Sequence, residues 1–154
     1  MAKNKTRRKG VVPPPKCKAI LLCERTIIEA GTGKVSLIGL FDGFIVPKIP
    51  GITVPCTVFL HLTDGVADHD YQIAIELHDL SDGKIIAKAG GPKVQWKDRL
   101  AKLNLFIPVP PLKVQHVGRY DFVVFANKQE IDRQTFGVIV PPTPEIQVED
   151  QSDD

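Results

Sequence analysis

Short segments in which apolar and polar positions alternate dominate the chain. Residues 71–78 show this best, because four large apolar residues fall on one side of an extended strand and the residues between them fall on the other. The four are Tyr71, Ile73, Ile75 and Leu77. Residues 57–63 and 100–109 alternate in the same way. No stretch carries a sustained apolar stripe with the period of a helix, so the pattern predicts strands throughout.

The breaks between these segments carry residues that favour turns. Thirteen prolines and twelve glycines lie mostly between the apolar segments, which is typical of an all-β protein. We expect hairpins at residues 31–33, 82–83 and 127–130, and a fourth that joins residues 57–63 to 71–78. The sequence therefore predicts an all-β, antiparallel sandwich of about eight or nine short strands.

The segment that begins at Tyr120 favours an immunoglobulin-like sandwich. In such domains a tyrosine at the start of the penultimate strand commonly anchors a corner through its hydroxyl. The Cys–Trp–Cys signature of true immunoglobulin domains is missing, because the second position after Tyr120 is Phe122. We therefore expect an immunoglobulin-like fold that needs no disulfide.

Charge is concentrated at the two ends of the chain. The first 18 residues carry seven basic residues and no acidic one, and the last ten carry five acidic residues and no basic one. We divide the chain into a basic, proline-ended arm (residues 1–16), a β-sandwich domain (17–140) and a proline-rich, then acidic tail (141–154). Both ends are expected to be disordered.

The apolar runs and the cysteines predict the compartment. No apolar run of secretory length follows the basic start and none could span a bilayer, so we expect a cytoplasmic protein without a membrane partner. Cys17 and Cys23 lie on one predicted strand, roughly 20 Å apart, which is too far for a disulfide. A bond between Cys23 and Cys56 stays open, and free thiols are the expected state.

Residues 19–24 (AILLCE) and 31–42 (GTGKVSLIGLFD) form one pattern, and residues 118–122 (GRYDF) with 133–138 (RQTFGV) form another. Together they resemble a family of small bacterial proteins classed as a domain of unknown function, over roughly residues 17–140. The resemblance implies a β-sandwich of bacterial origin, and it implies no activity.

No motif in the chain carries recognisable catalytic chemistry. The stretch Gly31-Thr32-Gly33-Lys34 lacks the spacing of a phosphate-binding loop and precedes a strand. One cluster could suggest a metal: His61, His69, His78, Asp64, Asp68 and Asp70. The expected hairpin would hold His61 and His78 roughly 20 Å apart. We therefore expect no metal site, no cofactor and no enzymatic activity.

Outward apolar positions favour a binding function. Phe59, Phe106, Val123 and Phe125 lie opposite the residues assigned to the core, and exposed apolar clusters often mark association surfaces. These four are the predicted contacts with a protein partner or with a second copy of the chain. The alternative is that both faces are covered, or that a bulge shifts the assignment by one residue.

Two other functions stay open. The arm could neutralise the phosphates of nucleic acid or of another polyanion. Its basic residues are Lys3, Lys5, Arg7, Arg8 and Lys9. A pocket between loops could instead bind a small ligand or support catalysis.

Overall fold

Eleven strands and no helix make up residues 12–144, the part of the chain that the computed structural model describes. The all-β architecture expected from the sequence is confirmed. The strands are β1 (Lys16–Ile28), β2 (Val35–Phe41), β3 (Gly43–Ile45), β4 (Gly51–Ile52), β5 (Cys56–Thr63), β6 (Asp70–Asp79), β7 (Ile85–Gln95), β8 (Leu103–Val109), β9 (Lys113–Val114), β10 (Gly118–Ala126) and β11 (Gln129–Ile139).

Nine of the eleven strands form two large sheets that share one core, and β4 and β9 form a separate two-stranded sheet. The first has four strands in the order β2-β1-β5-β8, and the second has five in the order β3-β11-β10-β6-β7. The number of strands exceeds the expected eight or nine because β3, β4 and β9 are only two or three residues long. Strand pairing is antiparallel except between β3 and β11, which are parallel. An immunoglobulin-like connectivity stays a prediction.

Three of the predicted turns are confirmed. Gly31 and Gly33 take positive φ values between β1 and β2, and Gly83 does so between β6 and β7. Asn127 and Lys128 join β10 to β11 with φ values of 48° and 67°. Two successive positive φ values are the signature of a tight hairpin turn that matches the twist of its strands.

The predicted hairpin between residues 57–63 and 71–78 is wrong. β5 pairs with β1 and β8 in the four-stranded sheet, whereas β6 pairs with β10 and β7 in the other sheet. The connection between β5 and β6 therefore crosses from one sheet to the other. Alternation along a strand specifies its buried face but not the strand that lies beside it. The pattern could not distinguish the two pairings.

Trp96 and Tyr71 pack against each other in the core. Their rings meet edge to face with centroids 5.4 Å apart. The Tyr71 hydroxyl accepts a hydrogen bond from the backbone N–H of Val66 and donates one to the carbonyl oxygen of Pro13. Val12 also packs against the core. The described end of the arm is thus held against the domain before β1 begins.

Candidate interaction surface

The outward side of the four-stranded sheet carries a row of apolar side chains. Leu21, Phe59 and Phe106 lie side by side in register on β1, β5 and β8. The ring centroids of Phe59 and Phe106 are 5.6 Å apart. Leu40 on β2 lies in the neighbouring row, opposite Cys23. We call Leu21, Leu40, Phe59 and Phe106 the outer face.

β1 and β2 continue beyond the sandwich as a two-stranded ribbon, defined as residues 25–38. The last pair between β1 and β5 is Cys23 with Thr57, whereas the pairing of β1 with β2 runs on to Ile28 and Val35. The ribbon exposes Ile27 and Ile28 to 50% and 58%. A two-stranded ribbon alone is marginally stable in water, so these apolar side chains lack the packing that further strands supply.

A shallow groove lies at the edge of the four-stranded sheet, beside the end of β2. It has a volume of about 390 Å³ and opens beside Leu21 and Leu40, which are 38% and 59% exposed. Gln134 of β11 lines its far side. Within the outer face, Leu21 and Leu40 are therefore the side chains exposed to solvent.

The structure separates the four predicted contact residues. Phe59 and Phe106 belong to the outer face, although only 9% of Phe59 is exposed and Phe106 is half-buried. Val123 and Phe125 lie on the outward side of the other sheet. The exposure expected of Val123 and Phe59 is wrong, because Val123 is fully buried and Phe59 is buried as well. Whether these four residues contact a partner stays a prediction.

Long polar side chains cover Val123. Its neighbours on the adjacent strands are Glu76 of β6 and Arg133 of β11, and the stems of such residues bury apolar surface. Arg133 bridges buried Asp121, at 3.1 Å, and Glu130, at 2.6 Å. The hydrogen bond from Arg133 lowers the pKa of Glu130. The outward side of the five-stranded sheet is thus polar and internally paired, unlike the outer face.

A cluster that the sequence did not indicate joins two loops. Buried Asp79 contacts His116 Nε2, and its Oδ1 accepts a hydrogen bond of 2.7 Å from the Ser81 hydroxyl. Burial would raise the pKa of Asp79, but the hydrogen bonds from His116 and Ser81 outweigh it and lower that pKa. The sequence predicted only the turn around Ser81. It could not indicate the contact between Asp79 and His116, because these two residues are 37 positions apart.

This cluster does not have the geometry of a nucleophilic triad. The Ser81 hydroxyl lies 3.2 Å from His116 Nε2, the same ring nitrogen that contacts Asp79. In a serine hydrolase the imidazole bridges serine and aspartate with its two different nitrogens. The contacts instead tie the segment before β10 to the turn between β6 and β7.

The three cysteines are free thiols with raised pKa values. Burial raises the pKa of Cys17 to about 12 and, with the nearby Cys23, raises the pKa of Cys56 to about 11. Burial also raises the pKa of Cys23. Cys56 points into the core whereas Cys23 points to the outward side of its sheet. The bond between them that the sequence left open is therefore not formed.

The histidines of the suspected metal cluster have separate partners. His61 hydrogen-bonds Asn104 at 2.6 Å, and His78 hydrogen-bonds Glu76 at 2.8 Å. They are far apart because they lie on different sheets, not because of the hairpin that the sequence suggested. Within residues 12–144, no group of three or more metal-binding side chains comes together.

The predicted polyanion-binding residues, Lys3, Lys5, Arg7, Arg8 and Lys9, lie outside the described residues. The acidic end of the tail, from residue 145, lies outside them as well. Across the described range, the chain contains no helix with the length and apolar character needed to cross a membrane.

The comparison with known families identifies the domain. The model of the family described as "Family of unknown function (DUF6941)" matches residues 18–139, so the chain belongs to that family. The expected kinship with a domain of unknown function is confirmed. No curated protein matches the chain.

Proposed function

We propose that this chain, a member of a family of unknown function, is a non-enzymatic binding module. Its contact surface is the outer face together with the ribbon, and its partner is a protein, which includes a second copy of the chain. One observation carries the proposal. Exposed apolar side chains, Ile27 on the ribbon and Leu40 and Leu21 on the sheet, lie on one side of β1 and β2, with exposed Arg25 and half-buried Ile38 between Ile27 and Leu40.

The contrast between the two sheets supports this choice of surface. Apolar side chains on the outward side of the five-stranded sheet are covered by paired charged residues, such as Arg133 and Glu130 beside Val123. The outer face has no such cover at Leu21 and Leu40. Clusters of exposed apolar side chains often mark sites of protein association.

The chemistry elsewhere in the described residues supports a function without catalysis. The one cluster of serine, histidine and aspartate uses a single ring nitrogen for both contacts. The thiols of Cys17 and Cys56 have pKa values near 12 and 11, whereas a nucleophilic thiol has a lowered pKa. Three unpaired thiols also support a reducing compartment, and we propose the cytoplasm.

Site-specific photo-crosslinking tests the proposal with either kind of partner. Leu40 is replaced by the photoreactive residue benzoylphenylalanine, and the full chain is irradiated in the cells that produce it. The matched control places the same residue at Leu100, which is 80% exposed and lies outside the contact surface. A third probe at Phe125 samples the other sheet.

We expect a discrete adduct heavier than the monomer from Leu40 and not from Leu100. Equal yields at the two positions would mean that the contact surface is not selective, and absence of any adduct at Leu40 would overturn the proposal. An adduct confined to Phe125 would also overturn it and transfer the contact to the five-stranded sheet.

A further inference from the structure

Among the edge strands of the two large sheets in the described part of the chain, β2 is the least protected against pairing with a further strand. The edges of the two large sheets are β2, β8, β3 and β7. β8 contains Pro108, β7 contains Lys88, Pro92 and Lys93, and β3 has three residues. Proteins commonly block unwanted edge pairing with proline, lysine or very short strands. β2, with the sequence VSLIGLF, has seven residues and none of these devices.

The residues that flank β2 carry opposite charges. Lys34 precedes the strand and Asp42 follows it, and both are exposed. Two copies of β2 that pair antiparallel about Ile38 bring the Lys34 end of each copy to the Asp42 end of the other. The strand itself carries no charge that would oppose this approach. β2 is therefore complementary in charge to a second copy of itself.

Pairing between two copies of β2 would also give the ribbon the neighbouring strands that it lacks. An antiparallel pair has its twofold axis perpendicular to the sheet, so each face of β2 continues onto the same face of its copy. The two ribbons become four adjacent strands, which is the range where sheets gain independent stability. Gly39 takes a φ of 69° next to this axis, and the residues on either side of it, Ile38 and Leu40, both pair with β1 in an unshifted register.

We propose that a second copy of this chain is the partner, and that the two copies join β2 to β2 about a twofold axis. This inference rests on the proposed function, since it names the partner of the ribbon. The joined sheet has eight strands, and the two outer faces lie side by side on one of its surfaces.

Charge reversal in the full chain tests the twofold arrangement. Lys34→Glu places two acidic groups at each junction of a homodimer, and Asp42→Lys places two basic groups there. Sedimentation equilibrium of each variant should give a dimer dissociation constant about tenfold weaker than that of the unchanged chain. The matched control is Lys84→Glu, which removes an exposed pair with Asp82 in a different turn and should leave association unchanged.

Mixing the two variants gives the decisive result. In a heterodimer, the glutamate introduced at position 34 of one chain would meet the lysine introduced at position 42 of the other, and the remaining Asp42 would meet the remaining Lys34. Equimolar mixing should therefore restore the unchanged affinity. Failure of the mixture to recover, or insensitivity of the dimer to either substitution, would overturn the proposal. A chain that stays monomeric to about 1 mM also overturns it. The proposed function would survive that outcome if Leu40 still crosslinked to a different protein.

Discussion

The hydroxyl of Tyr120 donates a hydrogen bond of 2.6 Å to the backbone carbonyl oxygen of His116, four residues earlier. Tyr120 is buried, and its ring stacks on Phe136 with the centroids 5.7 Å apart. The bond fixes the corner where the chain enters β10, as the sequence predicted for this tyrosine. The same corner contains His116, whose side chain contacts Asp79. The hydrogen bond from Tyr120 to the His116 backbone therefore also positions the His116 side chain for that contact.

Removal of the Tyr120 hydroxyl should destabilise the domain. Tyr120→Phe leaves the ring in place but deprives the His116 carbonyl of its donor, which costs about 1.5 kcal/mol of unfolding free energy. Urea unfolding followed by the fluorescence of Trp96 measures the change. Thr32→Ala removes an exposed hydroxyl that accepts a bond in the turn between β1 and β2, and this control should shift stability by less than about 0.5 kcal/mol. Equal effects would contradict the role of the corner.

Gly65 is required by the close approach of Trp96. A Cβ atom at Gly65 would lie 2.1 Å from the indole ring, so Gly65→Ala forces the buried ring to move. We expect a loss of about 3 kcal/mol, at the upper end for overpacked cores. Gly90 has open space at the same atom, and Gly90→Ala should leave the urea midpoint nearly unchanged. Similar midpoints for the two variants would refute this packing argument.

Stability should fall in acid partly through Asp79. Burial opposes ionisation, but the bonds from His116 and Ser81 hold the pKa of Asp79 below its ordinary value of 3.8. The unfolded chain therefore binds this proton more readily. The contribution is complete above the ordinary pKa and is lost as the pH falls through the lowered one.

Asp79→Asn isolates that contribution. At neutral pH we expect a loss of about 2 kcal/mol, because a charged acceptor of buried hydrogen bonds is removed. At about pH 2 the difference in unfolding free energy between the variant and the unchanged chain should become smaller. Asp98→Asn, which changes an exposed turn carboxylate, serves as the control and should show a small gap at both pH values. A gap for Asp79→Asn that is independent of pH would disprove the assignment.

The thiols should react slowly in the folded protein. The pKa values of Cys17 and Cys56, near 12 and 11, leave little thiolate at about pH 8. Alkylation with iodoacetamide, followed by intact mass, should label the folded chain much more slowly than the chain in denaturant. Fast labelling of Cys56 in the folded state would show that its burial is not maintained in solution.

Removal of the basic arm should leave association through the ribbon intact. β1 runs from Lys16 near the arm to Ile28 in the ribbon, a separation of about 40 Å. A chain that starts at Val12 keeps the contact of Pro13 with Tyr71. Light scattering on a sizing column, at low and high salt, should give it the same oligomeric state as the full chain. Nucleic acid carried only by the full chain at low salt, with a monomeric core, would favour the polyanion function instead.

Some features of the molecule follow from short stretches of sequence. The alternation at residues 71–78 predicted the buried face of β6, and Tyr71, Ile73, Ile75 and Leu77 are all buried. The turns at Gly31, Gly33 and Gly83 followed from the freedom of glycine to take positive φ. These features depend on residues a few positions apart, so the local pattern contains the information that determines them.

The tertiary structure alone decided which strands lie together. β5 and β6 alternate like the two arms of a hairpin but belong to different sheets, and the burial of Val123 depends on side chains from β6 and β11. The contact of Asp79 with His116 and the projection of the ribbon beyond β5 likewise depend on distant pairings. Periodicity specifies the face that a strand buries. The neighbour that it pairs with is selected by the packing of the whole core, and that choice creates the candidate surface.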